Sequence, residues 1–215
     1  MARREVESEL QTARTLDEAQ TTVPHLGQLS RSLAALGQEA ETELIIQEFL
    51  TLNERTPYGH AYSIPSLLPA CRWLVHRQAT SEALESLQFC LQQLERLEAQ
   101  LQSLESAAGL AEARGLAAVY NQQPALAVEQ FQRVAAHWAN LNRPYDQARV
   151  LHDLGQALNQ TKDTPQAQSA FKQALDLIER LADQLEEPEL KASFLHSARC
   201  LTTWTSASSD EARKR

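Results

Sequence analysis

Glycine and proline are scarce in this 215-residue chain, six and eight in all. No stretch alternates apolar with polar residues for long. Together these shortages exclude a sheet protein, which needs frequent turn residues and a period of two. Cysteine occurs only at Cys71, Cys90 and Cys200, with no CxxC spacing. An odd set without that spacing excludes a disulfide framework and a zinc site, and it fits a reducing, cytoplasmic setting. Cys71 and Cys90 fall on the buried faces of predicted helices, where a thiol behaves as a small apolar group. No apolar run approaches the ~18 residues that cross a bilayer, and the opening MARREVESEL has no apolar core of a signal peptide. No membrane partner is expected. Basic residues are outnumbered, 20 Lys and Arg against 28 Asp and Glu, for a formal charge of −8. A nucleic-acid binder needs basic charge to displace counterions from phosphate, so direct binding of that class is disfavoured. The one basic run, Arg213, Lys214 and Arg215, reads as a solvated tail.

What is present is helix. Leu, Ala, Gln and Glu dominate, and all four are good helix formers. Between residues 148 and 180, Gly155, Ala167, Phe171 and Ala174 stand at offsets of 0, 12, 16 and 19. The same slots recur as Gly115, Ala127, Phe131 and Val134, as Cys71, Ala83, Leu87 and Cys90, and more weakly as Ser30, Thr42, Ile46 and Phe49. The first slot is always small and the third always large and apolar, with copies 41, 44 and 40 residues apart. Small residues let two antiparallel helices cross closely, and the bulky one is expected to wedge against the next pair. Neither helix can bury its apolar stripe alone, so stacking of pairs supplies the core. This spacing resembles the tetratricopeptide repeat.

The resulting expectation is an all-α, right-handed superhelical solenoid spanning residues 1–204. It has four tetratricopeptide-like hairpins, a partial N-terminal unit (helix 3–20) and a C-terminal capping helix. The units are 24–53, split by Gly37; 66–106; 107–141, split at 121–123; and 144–185. A closing helix covers 187–204, the long loop is 54–65, and 205–215 is a disordered tail. Pro124 suits a first helical turn, and Thr164 before Pro165 reads as an N-cap. Helix 80–106 is long and carries a near-heptad of Leu84, Leu87, Leu91, Leu94, Leu101 and Leu104. The favoured reading of this stripe is burial by neighbouring pairs, with a coiled-coil dimer as the alternative.

A further resemblance rests on WANLNRPYDQARVLHDLGQAL and LADQLEEPELKASFLHS. Trp138, Asn142, Arg143, Pro144, Tyr145, Ala148 and Arg149 are similar to a joint in the helical-repeat regions of large bacterial signal-transduction proteins. These include maltose-regulator-type activators and multidomain ATPase or cyclase sensors. Glu187, Pro188 and Phe194 resemble the closing segment of such regions. The resemblance implies a sensor or scaffold that binds an inducer or protein and restrains an effector domain. No GxxxxGK[ST] phosphate loop or terminal helix-turn-helix accompanies the repeats, so an effector domain would lie elsewhere.

Chemistry is not indicated. No HxxxH or HxxE pair occurs among His25, His60, His76, His137, His152 and His196, and no GxSxG elbow is present. No metal or cofactor is expected, and no enzyme. Function is instead placed on the first helix of each pair, which lines the concave face of such a stack. There the candidate contacts are Arg149, His152, Asp153, Gln156 and Asn159 in the fourth unit. Glu112, Leu116 and Tyr120 serve in the third, and Arg72 and His76 in the second. A groove of that kind suits a peptide or a protein domain.

Overall fold

In a computed structural model, residues 10–12, 14–15, 19–55, 63–77, 81–196 and 198 are described. All regular structure among them is helical. The expected tail 205–215, most of the loop 54–65, Cys200 and the last part of the closing helix lie outside the described residues. So does most of helix 3–20. The elements are α1 (Ala19–Ala35), α2 (Glu39–Arg55), α3 (Ile64–Arg77), α4 (Ser81–Leu101), α5 (Leu104–Tyr120), α6 (Pro124–Asn140), α7 (Pro144–Gln160) and α8 (Thr164–Asp183). Residues 188–196 are also helical. The chain divides into two compact units, Met1–Ser106 and Ala107–Arg215.

In the first unit, α1 packs on α2 and α3, and α3 on α4. Leu26, Leu33, Ile46, Phe49, Leu67, Trp73 and Leu87 are buried there, as are Cys71 and Cys90. Gly27 is the point of closest approach. A Cβ at this position would lie 2.6 Å from the Ser66 Cβ, and the Ser66 hydroxyl donates to the Val23 carbonyl at 2.9 Å. Helix α1 begins five residues before the expected start at 24 and holds Pro24 in its interior. The apolar stripe from Val23 to Leu33 outweighs the one backbone hydrogen bond that proline removes.

The predicted helix 80–106 ends at Leu101, and the boundary expected between 106 and 107 falls at Gln102 and Ser103. Gln102 has a φ of 46°, which ends α4 at Leu101, and Ser103 and Ser106 start α5 reciprocally. The Ser103 hydroxyl accepts from the Ser106 N–H and the Ser106 hydroxyl from the Ser103 N–H, both at 3.1 Å, a capping box built from two serines. Leu101 and Leu104 therefore flank a turn and do not continue a seam. Leu87, Leu94 and Leu97 are buried within the chain.

The second unit keeps a strict register. Helices α5, α6 and α7 are each 17 residues long, and the left-handed residues of their closing turns, Gln122, Asn142 and Lys162, fall 20 residues apart. Each turn is a Schellman motif. In the α6 turn, Asn142 N–H donates to Ala139 and Arg143 N–H to Trp138, both at 3.0 Å. The corresponding bonds recur at Gln122 and Gln123, and at Lys162 and Asp163. Gly37 closes α1 in the same way, with φ 68°. Pro124 and Pro144 open α6 and α7. The N-cap of α8 is Asp163 rather than Thr164, its carboxylate accepting from the Gln166 N–H at 3.2 Å. The carboxylate has the reach and the charge that favour a helix N-terminus.

Candidate functional site

The repeat positions pack small against large within each pair. A Cβ on Gly115 would lie 2.5 Å from the Phe131 ring, and one on Gly155 would lie 2.6 Å from the Phe171 ring. Each Phe therefore presses on the glycine of its own hairpin. Ala127, Ala167, Ala174, Ala83 and Leu87 are buried. These residues hold helices together and leave no functional group exposed.

The first helices of the pairs, α5 and α7, carry the candidate contacts, and the structure sorts them into two groups. Glu112 is fully buried. One carboxylate oxygen accepts from the Trp138 indole of α6 at 2.8 Å, and the other from the Arg149 guanidinium of α7 at 3.0 Å. Arg149 also meets Asp146, one turn earlier, at 3.1 Å, and its side chain is 9% exposed. Its Nε–H is buried without an acceptor. One carboxylate thus ties three helices, and a buried charge of this kind must be paired and hydrogen-bonded to be tolerated. Both residues were expected on the groove surface; they are held against each other inside the unit.

The joint Trp138–Arg149 becomes intelligible on this basis. Trp138 donates to Glu112, Asn142 takes the left-handed turn, and Arg143 lies over the Trp138 ring at 6.0 Å. Pro144 opens α7, the Tyr145 ring sits 6.1 Å from that of Phe194, Ala148 is buried, and Arg149 closes on Glu112. The whole motif is a folding joint.

The remaining contacts form a strip along α7. His152 is half-buried, with its ring 5.3 Å from Phe171. Asp153 is buried, with Oδ1 3.9 Å from His152 Nδ1. Gln156 is half-buried and Asn159 exposed. On α5, Leu116 is buried and Tyr120 half-buried. Arg72 and His76 belong to the first unit. There both are half-buried, and His76 lies 6.2 Å from Trp73, whose indole donates to Glu43 at 2.6 Å. The polar residues accessible on α7 are therefore fewer than the sequence suggests.

Trp138 was read as part of a joint, and its bond to Glu112 was missed. A signal existed: Glu112 stands in the run AAGLAEARGLAAV, a single acid among small apolar residues. A carboxylate there must either face solvent or find a donor on a neighbouring helix.

Among the described residues, no group of three or more His, Cys, Asp or Glu could hold a metal ion, and no helix is long and apolar enough to cross a membrane. Residues 109–180, from early α5 to late α8, match the family model of the tetratricopeptide repeat. Among curated proteins none matches the chain.

Proposed function

We propose that this chain is a non-catalytic protein-interaction scaffold, holding a peptide or partner domain along the first helices of its repeat pairs. The observation that carries this reading is the polar strip His152, Gln156 and Asn159 on α7, accessible beside repeat positions wholly used in packing. The tetratricopeptide match over this stretch supports it, since repeat arrays offer extended surfaces to partners along such faces. Half-buried Tyr120 on α5 supplies an amphipathic contact of the kind enriched at interfaces.

Arg149 is not a usable probe of this face. Arg149→Glu would set a second carboxylate against Glu112 and unfold the joint. The test uses Gln156→Glu and Asn159→Arg together, in wild-type thermal stability. Partners captured from the native organism by the wild type and by this variant are compared by quantitative mass spectrometry. A protein retained by the wild type and lost by the equally stable variant is the expected result. Identical capture by both would refute the face as the binding surface.

A second reading makes the chain a ligand-sensing regulatory module of a bacterial signalling ATPase or transcriptional regulator, with its effector domain elsewhere. It is favoured by a cleft of about 300 Å³ beside the joint, lined in part by Asn142, Arg143, Gln147, Arg180 and Gln184. That volume is at the lower edge of small-molecule sites. A reading frame encoding a P-loop or helix-turn-helix domain next to this one would favour this reading.

A further inference from the structure

The cleft of about 300 Å³ beside the joint lies within the second unit, where the end of α6 and the start of α7 meet the last turns of α8. Its apolar wall is Ala139, Pro144, Leu177 and Leu181. Arg143 and Arg180 are the charged residues of the lining, and no Asp or Glu is among the described residues that form it. In a chain with 28 acids and 20 bases, a lining with two guanidiniums and no carboxylate needs a cause.

The turn itself is not that cause. The joint 40 residues earlier has Ser103 where this one has Arg143, and Asn140 where it has Arg180. It closes through the same left-handed backbone, at Gln102 as at Asn142, so the turn requires neither arginine. Arg180 is exposed, and its Nε–H donates to the Asp176 carbonyl of its own helix at 3.2 Å. That bond fixes the root of the guanidinium, and its two terminal amino groups bond to no described residue. Arg143 is held in place over the Trp138 ring at 6.0 Å, with Nε 3.7 Å from Asp146 Oδ2. The side-chain amides of Asn142, Gln147 and Gln184 complete the lining.

We propose that this cleft binds a small monocarboxylate with an apolar body, the carboxylate on Arg180 and Arg143 and the body against Leu177 and Leu181. The inference rests on the ligand-sensing reading above and gives that ligand its chemical class. The surroundings set the charge of the guest. Asp146 is shared between Arg143 and Arg149, at 3.7 and 3.1 Å. Asp176, Glu179 and Asp183 stand on the other flank of Arg180, and Asp183 is engaged by Lys191. With these acids near, the cleft offers fixed donors and not a strongly positive field. A phosphate dianion would meet their repulsion, whereas a single carboxylate can take two parallel N–H bonds from one guanidinium. Because the lining comes from α6, the joint and α8, the bound acid ties one hairpin to the next.

The probe is para-fluorophenylacetate, titrated against the full chain and followed by fluorine NMR, with the isosteric para-fluorophenylacetamide as neutral control. Saturable binding of the acid, at least tenfold tighter than that of the amide, is expected. Arg180→Gln should weaken the acid at least tenfold. Arg133→Gln, which removes an exposed arginine of α6 outside the lining, should leave it unchanged. Both arginines are exposed, so both variants should keep the wild-type thermal midpoint, which circular dichroism verifies. No saturable binding of the acid, or equal weakening by Arg133→Gln, overturns the proposal. Equal binding of acid and amide, lost on Leu181→Asn, overturns the carboxylate class while leaving the cleft a small-molecule site and the sensing reading intact. Tenfold tighter binding of an acetylated tripeptide ending in leucine, lost on Arg180→Gln, would assign the cleft to a protein C-terminus and overturn the small-molecule ligand.

Discussion

Replacing Glu112 with alanine tests the joint most directly. The side chain is fully buried and serves two donors from two other helices. Its removal orphans the Trp138 indole N–H, a loss of ~1–3 kcal/mol for a buried donor. It also takes one of two carboxylates from Arg149, whose side chain is 9% exposed. Breaking a buried pair from one side costs about 3–5 kcal/mol. Asp146 remains at 3.1 Å, which places the expected total near the lower end, ~3 kcal/mol. For a chain of this size that corresponds to a fall in thermal midpoint of roughly 6–12 °C. Urea unfolding followed by far-UV circular dichroism and by tryptophan emission measures it. Glu112→Gln preserves an acceptor for Trp138 and should cost less. Glu112→Gln with Arg149→Met removes both charges at similar volume and should recover most of the loss, since neutral replacement of a buried pair is often well tolerated. A loss below ~1 kcal/mol for Glu112→Ala would refute the view that this carboxylate holds three helices together.

The packing glycines should differ in sensitivity. Gly115→Ala meets the fully buried Phe131 ring and should cost ~2–3 kcal/mol, whereas Gly155→Ala meets half-buried Phe171, which can move, and should cost ~1 kcal/mol or less. Equal costs by denaturant titration would contradict the difference in confinement. Gln122→Gly and Lys162→Gly relieve left-handed residues at φ 56° and 65° and should each raise stability by ~0.5–1 kcal/mol after the entropic penalty of glycine. A fall in midpoint would show that these side chains hold more than the turn. Asp163→Ala removes the α8 N-cap and should cost ~0.5–1 kcal/mol, with Asp163→Asn close to wild type. If asparagine is as damaging as alanine, the side-chain oxygen is not acting as a cap.

The helical class and the hairpin register were legible because both follow from short-range periodicity. Gly115 with Phe131 and Gly155 with Phe171 are paired by a fixed spacing, and a fixed spacing is visible in a string. The place of the break between α4 and α5, at Gln102 rather than after 106, was not legible, because leucines continue on both sides and glutamine carries no mark of a left-handed backbone. The two-serine cap at 103 and 106 was the available signal, and an unbroken apolar stripe outweighed it. Thr164 was read as a cap because it precedes proline, while the adjacent Asp163 had the better geometry.

The candidate site divided along the same line. Asn159 and Gln156 could be placed on the accessible side of α7 by counting from Ala148. Glu112 and Arg149 could not be recognised as partners, since 37 residues and two turns separate them. The sequence by itself determined which helices form, where small residues let them cross, and which acids and bases stand on their first turns. Only the tertiary structure decided that Glu112, Trp138 and Arg149 satisfy one another, and that Leu175 on α8 is exposed where Ala135 on α6 is buried. Periodicity is a property of one helix and its immediate turn. Pairing of buried charge and covering of an apolar face depend on which helix comes alongside, and only packing sets that.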